Sequence, residues 1–167
     1  MMEPNAFAPD APRFVRHLLD SYRRWVGTEL IERSGDERAD LVRLFGVPFT
    51  VVSHDAQTDP IFKFGNQTAL DLWEIDLPAF LQMPSRLTAE PMHRDERARL
   101  LQRTERDGYV DDYRGVRISS RGRRFWIDQA TIWNIVDDAD AYLGQAATFD
   151  RWTFLKEGET PQAGEAV

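Results

Sequence analysis

Ser53, His54 and Asp55 stand in a row, and they are the nucleophile, base and orienting acid that acyl transfer requires. Their setting argues against that use. Residues 49–54 form a β-branched run, and neighbours on a strand point to opposite faces, so Ser53 and His54 cannot simply meet there. Asp55 opens turn chemistry that continues through Asp59 to Pro60. The three are read as a strand end and its turn. His54 or Asp55 acting as a general base belongs to the alternative reading, a small-molecule enzyme on a related α+β cone.

Other chemistry-bearing types are sparse. The three histidines, His17, His54 and His93, are far apart in the sequence and cysteine is absent, so no metal site, disulfide or thiolate is expected. Five arginines lie within residues 114–124, but they alternate along two strands of a hairpin, between Asp111, Asp112 and Asp128. In a chain of net charge -7 this reads as a solvated, ion-paired face, and no nucleic-acid partner is expected. No apolar run approaches the roughly 18 residues of a spanning helix, so no membrane partner is expected either. The first dozen residues lack the basic and apolar regions of a secretory leader, which makes the cytoplasm the expected compartment.

The elements that must position these residues follow from periodicity. Phe14, Val15, Leu18, Leu19, Tyr22, Trp25, Val26 and Leu30 recur at spacings of three and four, which predicts an amphipathic helix over 14–30. A shorter helix over 36–45 ends before Pro48. Residues 49–54 and 61–64 form a hairpin, Gly65 breaks it, and Asn66 caps a helix over 67–75. Although Asn66-Gln67-Thr68 is a glycosylation sequon, the cap accounts for it. Helical pieces follow over 77–82 and 94–107, the second stopped by Gly108. Three strands, 109–119, 123–136 and 141–149, complete the order. Both faces of the last strands are apolar, so the sheet is covered on two sides. The central helices cover one side, and the N-terminal helix is the only apolar helix left for the other.

This order, two strands, short helices and a three-strand meander, resembles the PAS domain. Asn66-Gln67-Thr68-Ala69 resembles the start of the first PAS helix, and GQAATFDRW, 144–152, the last strand with its terminal aspartate. More closely, PFTVVSHDAQTDPIFKFGNQTALDLWE, PSRLTAEPMHRDERARLL and GVRISSRGRRFWIDQATIWN resemble the PAS-related MEKHLA family over 14–155. The resemblance implies an α+β, PAS-like fold: a five-stranded antiparallel sheet with short helices on one face and the N-terminal helix on the other. The expected division is a helical extension over 1–45, the PAS-like domain over 46–155 and a flexible tail over 156–167. It also implies a non-catalytic sensory, ligand-binding or protein-interaction module acting on an unknown small molecule or signalling partner.

Cofactors are not specified by the resemblance. Some haem-binding PAS domains ligate iron through a histidine of the long helix, and His93 sits just before that helix, where an exposed N-terminal residue is the simpler reading. The light-sensing subgroup uses a cysteine and strand amides, whereas matching by motif gives Arg117, Ile127 and Thr148 here, which disfavours flavin. The same register places Arg117, Ile127, Gln129, Thr131, Ala146 and Thr148 on the inner face, and Phe62, Phe64 and Trp73 complete a candidate pocket. A buried Arg117 needs an anionic or carbonyl partner; equally, it could be half-exposed and paired with Asp111, Asp112 or a helix carboxylate. Trp126 and Trp152 are read as outer-face residues. Phe14, Leu18, Tyr22 and Trp25 of the helix, with Trp126, Ile132, Gln145 and Phe149 of the sheet, offer more apolar surface than one helix hides, so a homodimer through this face is expected.

Overall fold

A computed structural model describes residues 6–90 and 94–159. In chain order the elements are α1 Ala11–Val26, α2 Glu37–Phe45, β1 Thr50–His54, β2 Phe62–Gly65, α3 Gln67–Trp73, α4 Leu77–Phe80, a 3-10 turn Ser85–Thr88, α5 Arg94–Asp107, β3 Tyr109–Ile118, β4 Arg124–Val136, β5 Tyr142–Phe149 and β6 Arg151–Phe154. All strand pairs are antiparallel, in the order β2-β1-β5-β4-β3, with β6 also paired to β4. The fold is α+β and PAS-like. The sheet gains a sixth strand because the last strand is interrupted at Asp150 and resumes on β4 in the same register, Thr131 opposite Thr148 and Asp128 opposite Arg151.

α1 covers one face of the sheet. Its apolar stripe buries Phe14, Val15, Leu18 and Leu19, and polar groups fix its position. Trp133 Nε1 donates to the Leu18 carbonyl at 3.1 Å, and Trp25 Nε1 donates to the Asn134 carbonyl at 3.0 Å. The Tyr22 ring meets Trp133 edge-on at 4.9 Å. The helix stops four residues earlier than the periodicity suggests, because Gly27 takes a left-handed φ of 93° and donates its N–H to Arg23. Leu30 therefore lies beyond it.

Asn66 ties three elements together. Wholly buried, it caps α3 by accepting from Ala69 N and also accepts from Val51 N, both at 3.1 Å. Its amide donates to the carbonyls of Phe49 at 2.7 Å and Leu44 at 3.4 Å. This side chain fixes where α3 starts against β1 and α2, leaving the sequon asparagine inaccessible.

The surface expected for self-association is largely consumed within the chain. Phe14 and Leu18 are buried, Tyr22 and Trp25 half-buried against β4. Ile132, Gln145 and Phe149 lie on the other face of the sheet, beneath the central helices. Trp126 is half-buried, opposite Val116 and Thr153. Trp152, read as outer, packs edge-on against Phe149 at 5.9 Å. The expected tail falls mostly on residues 160–167, and His93 on 91–93, outside the described residues.

Candidate functional site

The inner face of the sheet and the central helices enclose a cavity of about 70 Å³. Its floor is β1, β3, β4 and β5; Trp73 of α3, Thr88 of the 3-10 turn, and Arg97, Leu100 and Leu101 of α5 close it. Of the pocket residues expected from sequence, Phe62, Trp73, Arg117, Ile127 and Ala146 line it. Phe64, Gln129, Thr131 and Thr148 do not. Phe64 stacks on Phe7 at 5.3 Å, and Thr148 Oγ1 donates to the Thr50 carbonyl at 2.9 Å.

The remaining two displacements share one cause. Gln129 takes a φ of 53°, and alternation along β4 breaks there. Ile127 faces the cavity, but beyond the break Ala130 and Ile132 replace Gln129 and Thr131 on the wall. Gln129 is exposed and Thr131 half-buried. The interruption at Asp150 mirrors this on the neighbouring strand, so Gln145, Ala147 and Phe149 reach the cavity from β5. A count of alternate residues carried across a bulge inverts the face.

Ser53 and His54 both line the cavity although adjacent, because the β1–β2 register shifts between them. They do not form a catalytic pair: Ser53 Oγ and His54 Nε2 are both buried without a hydrogen-bond partner among the described residues. The imidazole Nδ1 lies 2.8 Å from the Asp55 carbonyl. A carbonyl only accepts, so Nδ1 carries the proton and Nε2 is a bare acceptor. Burial lowers the His54 pKa to about 4, the hydrogen bond to Asp55 opposes this, and Arg97 lowers it further. The ring is neutral at pH 7. The Asp55 carboxylate is committed to its turn, accepting from Gln57 N and Ile61 N.

Two guanidiniums line the cavity. Arg117 on β3 and Arg97 on α5 are 8% and 9% exposed. Arg117 donates to the Val116 carbonyl at 2.9 Å and stacks over Tyr113 at 5.0 Å; Gly115 makes room for that ring, since a side chain there would collide with it. Arg97 donates to Ser85 Oγ at 2.5 Å. Neither forms a salt bridge among the described residues. The carboxylates around them are engaged elsewhere: Asp59 with Arg86, Asp112 with Arg103, Asp128 with Arg114, Glu90 with Arg124. Of the two arrangements expected for Arg117, the side chain takes the buried one with a carbonyl partner, and it pairs with no acid among the described residues. Desolvation, reinforced by Arg117, lowers the Arg97 pKa to about 10.

Arg97 was absent from the sequence-derived pocket, though its signal was present: it precedes Leu100 and Thr104 on the stripe that α5 buries. Replacing it tests its electrostatic cost. At pH 7, below both its ordinary value and about 10, the charge is present folded and unfolded, so the full burial penalty acts. Arg97→Met is expected to stabilise the ligand-free protein by about 1–2 kcal/mol, the relief of desolvation outweighing the lost Ser85 bond. Denaturant titration checks this; a lower midpoint with an unchanged slope refutes it.

Gln145 and Asn134 are inner-face amides that the sequence register missed. They are bonded to each other, Gln145 Nε2 to Asn134 Oδ1 at 3.1 Å, and to carbonyls of α5. Gln145 Oε1 has no partner among the described residues. Away from the cavity, His17, Asp20 and Asp138 bring ligand atoms within 4.8 Å of one another. Arg33 pairs with Asp20 and Arg16 with Asp138, at 2.7 and 2.8 Å. A metal ion would have to displace these cations, so the cluster reads as an ion-pair network.

The MEKHLA domain family model matches residues 12–154, which takes in the cavity and both flanking layers. The chain belongs to the MEKHLA-domain family. The homeobox-leucine zipper protein ATHB-14 of Arabidopsis thaliana is 28% identical over 152 residues, covering 89% of this chain and 18% of its own length. HOX9 of Oryza sativa is 24% identical over 148 residues, covering 88% of this chain and 18% of its own. This MEKHLA chain therefore spans about a fifth of these relatives. Among solved structures, a PAS domain from Colwellia psychrerythraea superposes with a TM-score of 0.58 at 15% identity, covering 70% of this chain and 98% of that one. The light-state dimer of the fungal blue-light photoreceptor Vivid gives 0.56 at 14%, covering 84% and 93%. These similarities show the PAS fold. Among the described residues of this MEKHLA domain, no helix is long and apolar enough to cross a membrane.

Proposed function

We propose that this MEKHLA domain is a non-catalytic sensory module that binds a small molecule in the cavity beneath its central helices and passes occupancy to a signalling partner through α1. One observation carries the reading. Among the described residues, four of the six buried side-chain polar atoms without a partner, Ser53 Oγ, His54 Nε2, Trp73 Nε1 and Gln145 Oε1, belong to residues that line this one cavity. Buried polar groups left unpaired cost stability, and a bound molecule that met them would recover it. α1 is suited to report occupancy because Trp133, which it grips, follows the cavity residue Ile132 on β4. The enzyme alternative has only a weak base to call on: burial lowers the His54 pKa to about 4, and no carboxylate lines the wall among the described residues.

Size bears on the ligand. A cavity of about 70 Å³ is far below the roughly 300 Å³ at which drug-sized ligand pockets begin, and no cysteine is available for a flavin adduct. The purified protein is expected to be colourless and, in native mass spectrometry, to carry a small molecule that denaturation releases. A stoichiometric visible chromophore contradicts the size argument; no bound mass, together with no melting response to any small-molecule library, contradicts ligand binding.

A further inference from the structure

We infer that the cavity takes a small carboxylate, its anion held by Arg97 and Arg117 and its apolar body lying against Trp73, Ile127 and Phe149. This deepens the ligand-binding reading and rests on it. Both guanidiniums are more than nine-tenths buried, both line the same cavity, and neither has a carboxylate partner among the described residues. Two like charges withdrawn from water together are a costly arrangement, which an anion between them converts into charge-assisted hydrogen bonds. Arg117 uses one nitrogen on a carbonyl and Arg97 one on Ser85. The guanidinium carries five N–H donors, so most remain for a ligand.

The rest of the wall selects the class. Its space corresponds to roughly five water-sized spheres, which suits a short chain or a single ring. His54 Nε2 and Gln145 Oε1 are acceptors without donors among the described residues. They would oppose the several oxygens of a phosphate or sulfate, whereas a carboxylate can turn its two oxygens to the arginines and leave its body, or a hydroxyl on it, beside these acceptors. The carboxylates whose charge acts on Arg97 and His54, Asp59 and Asp55, are held by Arg86 and by the turn's own N–H groups.

The test titrates the whole chain with matched probes: butyrate to octanoate, benzoate and phenylacetate, each beside its primary amide, with inorganic phosphate and sulfate in parallel. Calorimetry and melting curves are read together. At least one carboxylate is expected to bind and raise the melting temperature, its amide binding at least tenfold more weakly. Arg117→Met and Arg97→Met should each weaken that carboxylate at least tenfold, and Arg117→Lys should weaken it less than Arg117→Met. The methionine variants are controlled by their own melting curves, and either one suffices if the other fails to fold. An amide that binds as tightly as its acid, or affinity unchanged in both methionine variants, overturns the anion assignment and leaves ligand binding standing. Phosphate or sulfate binding more tightly than every carboxylate replaces the class. Failure of every carboxylate overturns the proposal, and if native mass spectrometry also finds no bound molecule, the sensory reading falls with it.

Discussion

Gly144→Ala is expected to abolish stable folding, with a loss of at least about 4 kcal/mol. Gly144 sits on β5 with a φ of 142°, and a Cβ placed there would overlap the carbonyl oxygen of His54 on the neighbouring strand. Two penalties combine. An L-residue rarely adopts this backbone conformation, at a cost of about 1–3 kcal/mol, and the obstacle is main chain, which no rotamer change can move. Relief would require β1 and β5 to separate where His54 pairs with Gln145, at the rim of the cavity. Against a total stability of about 5–15 kcal/mol, such a loss leaves little. Circular dichroism during urea titration is the check. A variant melting within a few degrees of the parent would show that the strands part easily there, and the cavity rim would then be far softer than its hydrogen bonding implies.

That close approach was not legible in the sequence, and the reason is general to this domain. Local signals worked where one residue's chemistry fixes one geometry: Asn66 as a cap and Gly108 as a stop; the apolar stripe expected over 14–30 gave the sheet's second cover, though the helix ends at Val26. The family blocks supplied the topology. What failed was counting faces along β4 and β5, because a residue as ordinary as Gln129 adopts a positive φ and carries no glycine or proline to announce it. Ile127 and Arg117, on the near side of the break, were placed on the inner face; Gln129, Thr131 and Thr148 beyond it were not cavity residues, and Ile132, Gln145 and Phe149 were assigned outward. Those three outward residues were also part of the expected dimer surface, beside Phe14, Leu18, Tyr22, Trp25 and Trp126, so the same bulge misplaced residues in both sets. Arg97 is a different miss. Charge in a helix is read as solvent-facing by default, and only its place ahead of Leu100 and Thr104 betrays that it points in.

His54 gives the second large effect, this time in pH. Its folded pKa is lowered from 6.5 to about 4, chiefly by burial, so between those values the unfolded chain binds a proton that the folded protein excludes. Stability therefore rises with pH across that window: the contribution is complete above about 6.5, declines as the pH falls, and is exhausted below about 4. The full difference is on the order of 3 kcal/mol. His54→Gln keeps an amide donor for the Asp55 carbonyl but cannot titrate, and it should flatten this part of the profile. Urea unfolding at intervals from pH 7.5 to 4.5 is expected to show the parent losing about 2 kcal/mol more than the variant. Parallel profiles would mean that the imidazole is charged, or reached by water, in the folded protein. The same measurement bears on recognition, since an Nε2 that stays unprotonated down to about pH 4 can only accept a hydrogen bond. A carboxylate must then be bound by the arginines alone, and a hydroxyl on its body is what His54 would meet.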